Sequence, residues 1–493
     1  MKKVRITNII GSSYFFYIHI INIIALKILA RRVRFYMHYD ENISLTGRIL
    51  SPGEVQYDSA RQSFNTFFNR FPFVIVFAQN TQDVVNAVRW SLHNNVPIRV
   101  RSGGHNYEGL SVLDGGIVID VSEINQIKID PTSKTVIVGA GCKNLQLAEI
   151  LGKEGLAIPN GVCPKPAIAG IALGGGQGIL SRPLGLLLDH VVEIEIEMVD
   201  ANGCVLQIND QEHPDLFWAL RGGGGSFGIC TSFRFRTHEI KTVGFAEVSW
   251  GHQDLKAVIQ EWQKYTLPTS DKCFTPTLLL SSEKTSPLLM HGIFHGSVKD
   301  LQKLIQPLLQ IGSTIKVDIK ELSYLEAITL ISNHQPATPF PFKSVAPFMD
   351  SLLPDEGIAT IEQFMSQAPP NATVSMFFQG LGGTVSEVPE EDTAYFYRKA
   401  LVNMVLFSTW DKPEGAAQGI RWVEDFRQAL IPFTKGVYVN TPDLSMKDWA
   451  DLYYGENFKK LTQVKAKYDP EDIFNFPQSI PPANNNKNTF AGL

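Results

Sequence analysis

Apolar and polar positions follow two rhythms along this chain, and the changes of rhythm mark its elements. Phe73-Val74-Ile75-Val76-Phe77 is an unbroken apolar run, the pattern of a strand covered on both faces. Val84, Val85, Val88 and Leu92 then recur at the helical interval, with Thr81 predicted as the N-cap and Asp83 in the first turn. A second apolar stretch at 98–100 closes a β-α-β unit. Residues 117–121 and 135–139 predict further strands. Asn144 is predicted to cap a helix carrying Leu147, Ile150 and Leu151, with Gly155 as its stop. From 192 to 199 the rhythm is strictly two-fold: Glu193, Glu195 and Glu197 against Ile194, Ile196 and Met198, a half-exposed strand whose acids form a solvated face. Pro214 opens a helix over 215–221, the run Gly222 to Gly225 ends it, and 229–236 alternates as a strand. Beyond about 241 the glycine clusters thin out. Strands at 277–280, 288–294 and 374–379 alternate with helical stretches such as 297–309, predicting an antiparallel sheet covered by helices. The class is α+β.

A chain of 493 residues is too long for one ordinary core, so two domains are expected, and 44% apolar content is ample to fold them. The net charge of −5, with no basic stripe bearing interleaved aromatics, excludes a general attraction to nucleic acid. Five cysteines without paired spacing do not form a disulfide framework. No metal site is expected: His291 and His295 lie four apart on a strand, with no metal-binding helix motif around them. Residues 6–26 carry no formal charge and have the length of a membrane span, with Lys2, Lys3 and Arg5 before them and Lys27, Arg31, Arg32 and Arg34 after. Three readings stand for residues 1–36: a membrane anchor, a signal peptide without a small-residue cleavage site, or an extension ahead of a true start at Met37. The last makes the protein cytoplasmic; the others make it anchored or secreted.

Two glycine-rich stretches carry the chemistry. Arg101-Ser102-Gly103-Gly104-His105-Asn106-Tyr107-Glu108-Gly109 follows the strand at 98–100, and its glycines let the backbone approach a ligand while successive N–H groups form an anion nest. Gly161-Val162-Cys163-Pro164 is followed by Gly170-Ile171-Ala172-Leu173-Gly174-Gly175-Gly176-Gln177-Gly178. Together, in this order, they resemble the berberine bridge enzyme-like flavoproteins, a branch of the vanillyl-alcohol oxidase type, over about residues 56–480. The resemblance implies a two-part PCMH-type FAD-binding domain over 37–240, an antiparallel-sheet substrate domain over 241–447, and a return to the FAD domain over 448–493. It implies FAD bonded covalently through both His105 and Cys163. Arg101, Ser102, Gly103, Gly104, Asn106, Gly170, Gly174, Gly175, Gly176 and Gly178 would line the cofactor. Gly228 and Ile229, in the phrase that includes Asp215 to Gly225, would join them at the diphosphate end, with Tyr454 and Asn457 from the tail.

The same resemblance implies oxidation of an alcohol group on a carbohydrate or secondary metabolite, with oxygen as acceptor, or else a dehydrogenase with another acceptor or a flavin binder without turnover. Hydride leaves an alcohol carbon readily only as the hydroxyl proton departs, so a base must stand near the flavin. Tyr438-Val439-Asn440, read as a strand, would put Tyr438 and Asn440 on one face, with Tyr438 as base and Tyr107 as a second active-site tyrosine. A free phenol titrates near ~10, so working at neutral pH requires that value to be depressed. Pro166 occupies the position that controls oxygen access in relatives, and between Leu401 and Thr409 only Asn403 offers an amide. The literal G-x-S-x-G at Gly224 to Gly228 has a helix before it and a strand after it, the reverse of a hydrolase nucleophile elbow. Neither a triphosphate-binding loop nor a Rossmann fingerprint stands in the right place.

Overall fold

The structure is a computed structural model that describes residues 43–483 except 284, 313 and 337, with 193–199 described by backbone alone. The outward set of Glu193, Glu195 and Glu197 and the span at 6–26 therefore lie outside the described residues. Among the described residues no helix is long and apolar enough to cross a membrane.

The β-α-β unit forms as the apolar pattern requires. Val74–Phe77 and Ile98–Arg101 flank Ile117–Asp120 in parallel, and Arg48–Leu50 adds an antiparallel edge to complete a four-stranded sheet. The helix Thr81–Asn94 crosses over it, burying Val84, Val85 and Val88. Its N-cap is Asn80, not Thr81: Asn80 is the last extended residue, and its side chain accepts the Asp83 N–H. Asn144 likewise does not cap. It lies inside Asn144–Lys153 and turns its amide to the carbonyls of Gly161 and Cys163, while Gly155 at φ +69° ends the turn as expected.

A second, six-stranded sheet places Val191–Val199 between Ile229–Cys230 and Ser232–Arg236, then continues to Thr135–Gly139 and Ile127–Asp130. The strand read as continuous over 229–236 is thus two strands that break at Thr231. The predicted helix over 297–309 also divides, into Val298–Leu304 and Gln306–Leu309, because Pro307 supplies no N–H to continue the ladder.

The third sheet is antiparallel and eight-stranded. Its order runs Thr314–Ser323, Thr242–Trp250, Leu288–Phe294, Phe274–Ser281, Thr373–Gly380, Val402–Thr409 and Phe342–Val345, with Phe348–Met349 paired to Val402–Thr409. Helices Leu255–Trp262, Asp355–Ser366 and Pro413–Leu430 bury apolar stripes alongside it. The terminal helices Trp449–Tyr454 and Asn457–Tyr468 return to the first half of the chain: Tyr454 Oη donates to Gly223 O at 3.4 Å, and His213 Nδ1 lies 3.0 Å from Tyr468 Oη. All five cysteines are free.

Candidate functional site

The loop after Ile98–Arg101 is held on every side. Ser102 Oγ donates to Ala140 O at 2.7 Å, and Gly104 O accepts the Phe64 N–H at 2.9 Å. A Cβ on Gly103 would stand 2.5 Å from the Ala167 backbone nitrogen, so only glycine lets this loop meet the segment that follows Cys163. Asn106 Oδ1 accepts from Glu108 N and Leu110 N, both at 3.0 Å; that side chain shapes the turn. Arg101 is buried with Nε on Asp120, while its Nη1 is buried without a partner among the described residues. His105 stacks on Phe64 with ring centroids 4.0 Å apart. Burial, aided by Lys165 and Lys143, pulls its imidazole down to about 4, so it is neutral at pH 7.

Cys163 sits with Sγ 3.5 Å from Gln335 Oε1. Burial pushes its thiol up to about 11, so the folded chain holds a neutral thiol there rather than the thiolate that nucleophilic attack needs. A cavity of 370 Å³ opens beside this loop, between Lys143, Pro164, Lys165 and Gln335.

Tyr438 is not on a strand. Val437 makes a single bridge to Pro347, and the chain turns at once, with Thr441 N donating to Tyr438 O at 3.0 Å. The turn nevertheless brings the predicted pair together: Asn440 Nδ2 donates to Tyr438 Oη at 3.0 Å. Gly176 N donates to the same oxygen at 2.9 Å, and the Gln177 backbone N–H also faces it. The glycines of this segment make room for the pair. A Cβ on Gly174 would stand 2.1 Å from Asn440 Oδ1, and one on Gly175 would stand 3.1 Å from Tyr438 Oη. Gly178 closes the segment against Asn160 O, where a Cβ would stand 1.8 Å away.

Tyr107 faces the same space. Its ring meets Phe342 edge-on at 5.0 Å, and both Cys163 and Tyr438 act on it electrostatically. Burial pushes both phenols up; on Tyr438 the Gly176, Asn440 and Gln177 donors oppose that rise. Among the described residues no cation lowers either one, and the donors on Tyr438 do not outweigh burial, so the depression expected of the base is not found: both phenols stand above their usual range.

Sequence reasoning singled out Asn403 as the amide of its strand but missed the ring of polar groups it joins. Asn403 Nδ2 donates to Gln177 Oε1 at 2.7 Å, and Gln177 Nε2 donates to Tyr395 Oη at 3.1 Å. Asn403 Oδ1 is buried with no partner among the described residues. Gln177 stood inside a glycine motif and could have been flagged there; nothing around Tyr395 marks it. Also missed was an aromatic wall: Phe342 stacks on Phe407 at 4.9 Å, and Phe340 lies 5.1 Å from Phe342 and 5.5 Å from Phe64.

The remaining predicted residues lie elsewhere. Gly170 is exposed on the helix Ile168–Gly174, and a Cβ there or on Gly225 would meet nothing within 4 Å. Gly228 (φ +157°) and Ile229 lie between the glycine run and the sheet. Tyr454 covers that run, and Asn457 Nδ2 donates to Ala394 O at 3.3 Å.

Comparison with known proteins places these features in a family context. Residues 72–209 match the FAD binding domain family, and residues 437–481 match the berberine and berberine like family. The chain is 36% identical to the FAD-linked oxidoreductase YgaK of Bacillus subtilis over 90% of this chain and 98% of the relative. It is 28% identical to the glucooligosaccharide oxidase of Sarocladium strictum over 86% and 90%. Among solved structures it is similar to BBE-like 1 of Physcomitrella patens, with a TM-score of 0.83 and 29% identity over 88% and 96%.

Proposed function

The chain belongs to the berberine bridge enzyme-like FAD-linked oxidoreductases, and from that premise we propose that it oxidises an alcohol carbon of a carbohydrate or secondary metabolite, with Tyr438 as the base. The residues present fit FAD. Among the described residues a Cβ on Gly170 or Gly225 would meet nothing within 4 Å, and Arg101 Nη1 is a buried donor with no partner. When bound, FAD supplies the hydride acceptor. His105 and Cys163 are the side chains that would bond it covalently, the imidazole already neutral and nucleophilic and the thiol requiring deprotonation.

The observation that carries the proposal is the set of donors on Tyr438 Oη. A neutral phenol needs no more than one or two partners. Two backbone N–H groups and the Asn440 amide, all aimed at one oxygen, suit a phenolate. Tyr438 takes the substrate hydroxyl proton, and its developing charge falls where these donors already point. Tyr107, which Tyr438 acts on electrostatically, would support that proton transfer. The part-exposed rings of Phe64, Phe340 and Phe407, backed by buried Phe342, offer a shelf for the C–H face of a sugar ring or for a flat metabolite. The carbohydrate reading draws support from the glucooligosaccharide oxidase relative.

Oxygen is the proposed acceptor. An alternative acceptor is favoured by one feature: Pro166 is held in place by the Asn144 N–H on its carbonyl at 3.0 Å, which makes the wall beside Gly103 stiff. The test of the base is Tyr438→Phe. Flavin reduction in stopped flow should slow by roughly 10²–10⁴-fold, with flavin content unchanged. Reduction at the parent rate would remove Tyr438 from the role.

A further inference from the structure

We propose that Glu247, His291 and His334 form a binding site for a borderline divalent cation such as Zn²⁺, outside the flavin site and independent of the function proposed above. The sequence offered His291 only with His295, a pairing that a strand does not bring together. Folding supplies different partners. Glu247 and His291 are directly opposite each other on the antiparallel strands Thr242–Trp250 and Leu288–Phe294. His334 arrives from the turn that follows the helix Tyr324–Ser332.

Both imidazoles present Nε2 to one carboxylate oxygen. His291 Nε2 lies 3.1 Å from Glu247 Oε2, and His334 Nε2 lies 3.8 Å from it. All three ligand atoms fall within 4.8 Å of one another. A tetrahedral zinc with bonds of ~2.0–2.1 Å spaces its ligand atoms ~3.3 Å apart. The first two edges are close to that, and His334, the most exposed of the three, has the freedom to shorten the third. The other carboxylate oxygen, Oε1, is held at 2.5 Å by Lys316 Nζ. That contact orients Glu247 and leaves Oε2 for the ion, the usual part of an outer hydrogen bond at a metal site. Two imidazoles and one carboxylate select zinc-like ions over Mg²⁺ or Ca²⁺, which take oxygen. A water would complete the fourth position. An ion there would also pin the turn whose next residue, Gln335, touches Cys163 Sγ at 3.5 Å.

The experiment uses tag-free holoprotein, stripped with chelator, dialysed against micromolar free Zn²⁺ and assayed by elemental analysis. One zinc per chain is expected for the parent and for His295→Ala. His334→Ala, an exposed change that the fold tolerates, should lose it, and so should Glu247→Gln. Zinc should raise the melting temperature of the parent and not that of His334→Ala. No retained zinc, or equal retention in the parent and His334→Ala, would overturn the site and leave Lys316, Glu247 and the two histidines as an ion-pair network.

Discussion

At the scale of single residues, Asn440 tests whether the donors around Tyr438 stabilise charge or merely position a ring. Its amide nitrogen gives one hydrogen bond to Tyr438 Oη and another to Ile171 O at 3.2 Å. A hydrogen bond to an ionised group contributes ~1.5–3 kcal/mol. Asn440→Ala should therefore slow flavin reduction by about 10–100-fold, and it should move the ascending limb of the pH–rate profile, which reports the base, to higher pH. The sign follows from the donor favouring the anion, so its loss raises the phenol further. A slower variant with an unmoved profile would mean that Asn440 only positions the ring. The two attachment residues separate by the same logic. His105 is neutral and ready at pH 7, whereas Cys163 is held as a thiol. Cys163→Ala should therefore keep its flavin through acid precipitation, and only the double change with His105→Ala should release free FAD. Release from either single variant would show that the two bonds depend on each other.

At the scale of elements, apolar rhythm located most strands, because burial of alternate or consecutive residues leaves a direct trace in sequence. It failed where a side chain chose a tertiary partner over a local one. Asn144 reads as a cap, yet it bonds the Cys163 loop; Tyr438 reads as a strand residue, yet it sits in a turn. No local pattern announces such choices. The same holds for the join between the strand Val191–Val199 and the strand His238–Glu239. There His190 Nε2 lies 3.0 Å from Leu184 O, and its Nδ1 faces His238 Nε2 at 2.9 Å. With Nε2–H donating to the carbonyl, Nδ1 must accept, so His190 is needed neutral. Burial, with His238 beside it, lowers it to about 4, and burial lowers His238 as well. The unfolded imidazole titrates near 6.5. Between those values the unfolded chain binds a proton that the folded chain refuses, so stability is lost as pH falls from about 6.5 towards 4. His190→Asn should lower stability at pH 7 and flatten the acid slope by up to ~1.4 kcal/mol per pH unit. Chemical denaturation across that range measures it, and an unchanged slope would place the acid sensitivity elsewhere.

At the scale of the whole molecule, the glycine loops and the tyrosine motif were legible because each is contiguous. The aromatic wall and the polar ring were not, since Phe64, Gln177, Phe342, Tyr395 and Asn403 meet only when sheets distant in sequence are joined. One of the joints is ionic and buried. Lys343, on the strand Phe342–Val345, places Nζ 2.5 Å from Glu108 Oε1 and 2.7 Å from Asp443 Oδ1. Glu108 comes from the loop that carries His105, and Asp443 from the segment that carries Tyr438, so one ammonium ties the large sheet to both halves of the site. All three side chains are nearly inaccessible. Two carboxylates share one cation here, and burial pushes Glu108 up to about 7 even with Lys343 beside it. Removing the cation leaves two buried carboxylates without a counter-charge, with only the Ser445 N–H and hydroxyl, among the described residues, still donating to Asp443, a loss of ~3–5 kcal/mol. Lys343→Met should therefore lower the urea midpoint strongly at pH 8. The deficit should shrink as pH falls, because protonation neutralises the stranded acids. Adding Glu108→Gln should restore part of the loss at pH 8 and remove part of the pH dependence, since one of the two acids is then neutral at every pH. If Lys343→Met unfolds at the parent's midpoint at pH 8, the three charges are not what holds the site's two loops against the sheet, and packing of Tyr107 on Phe342 must do so instead.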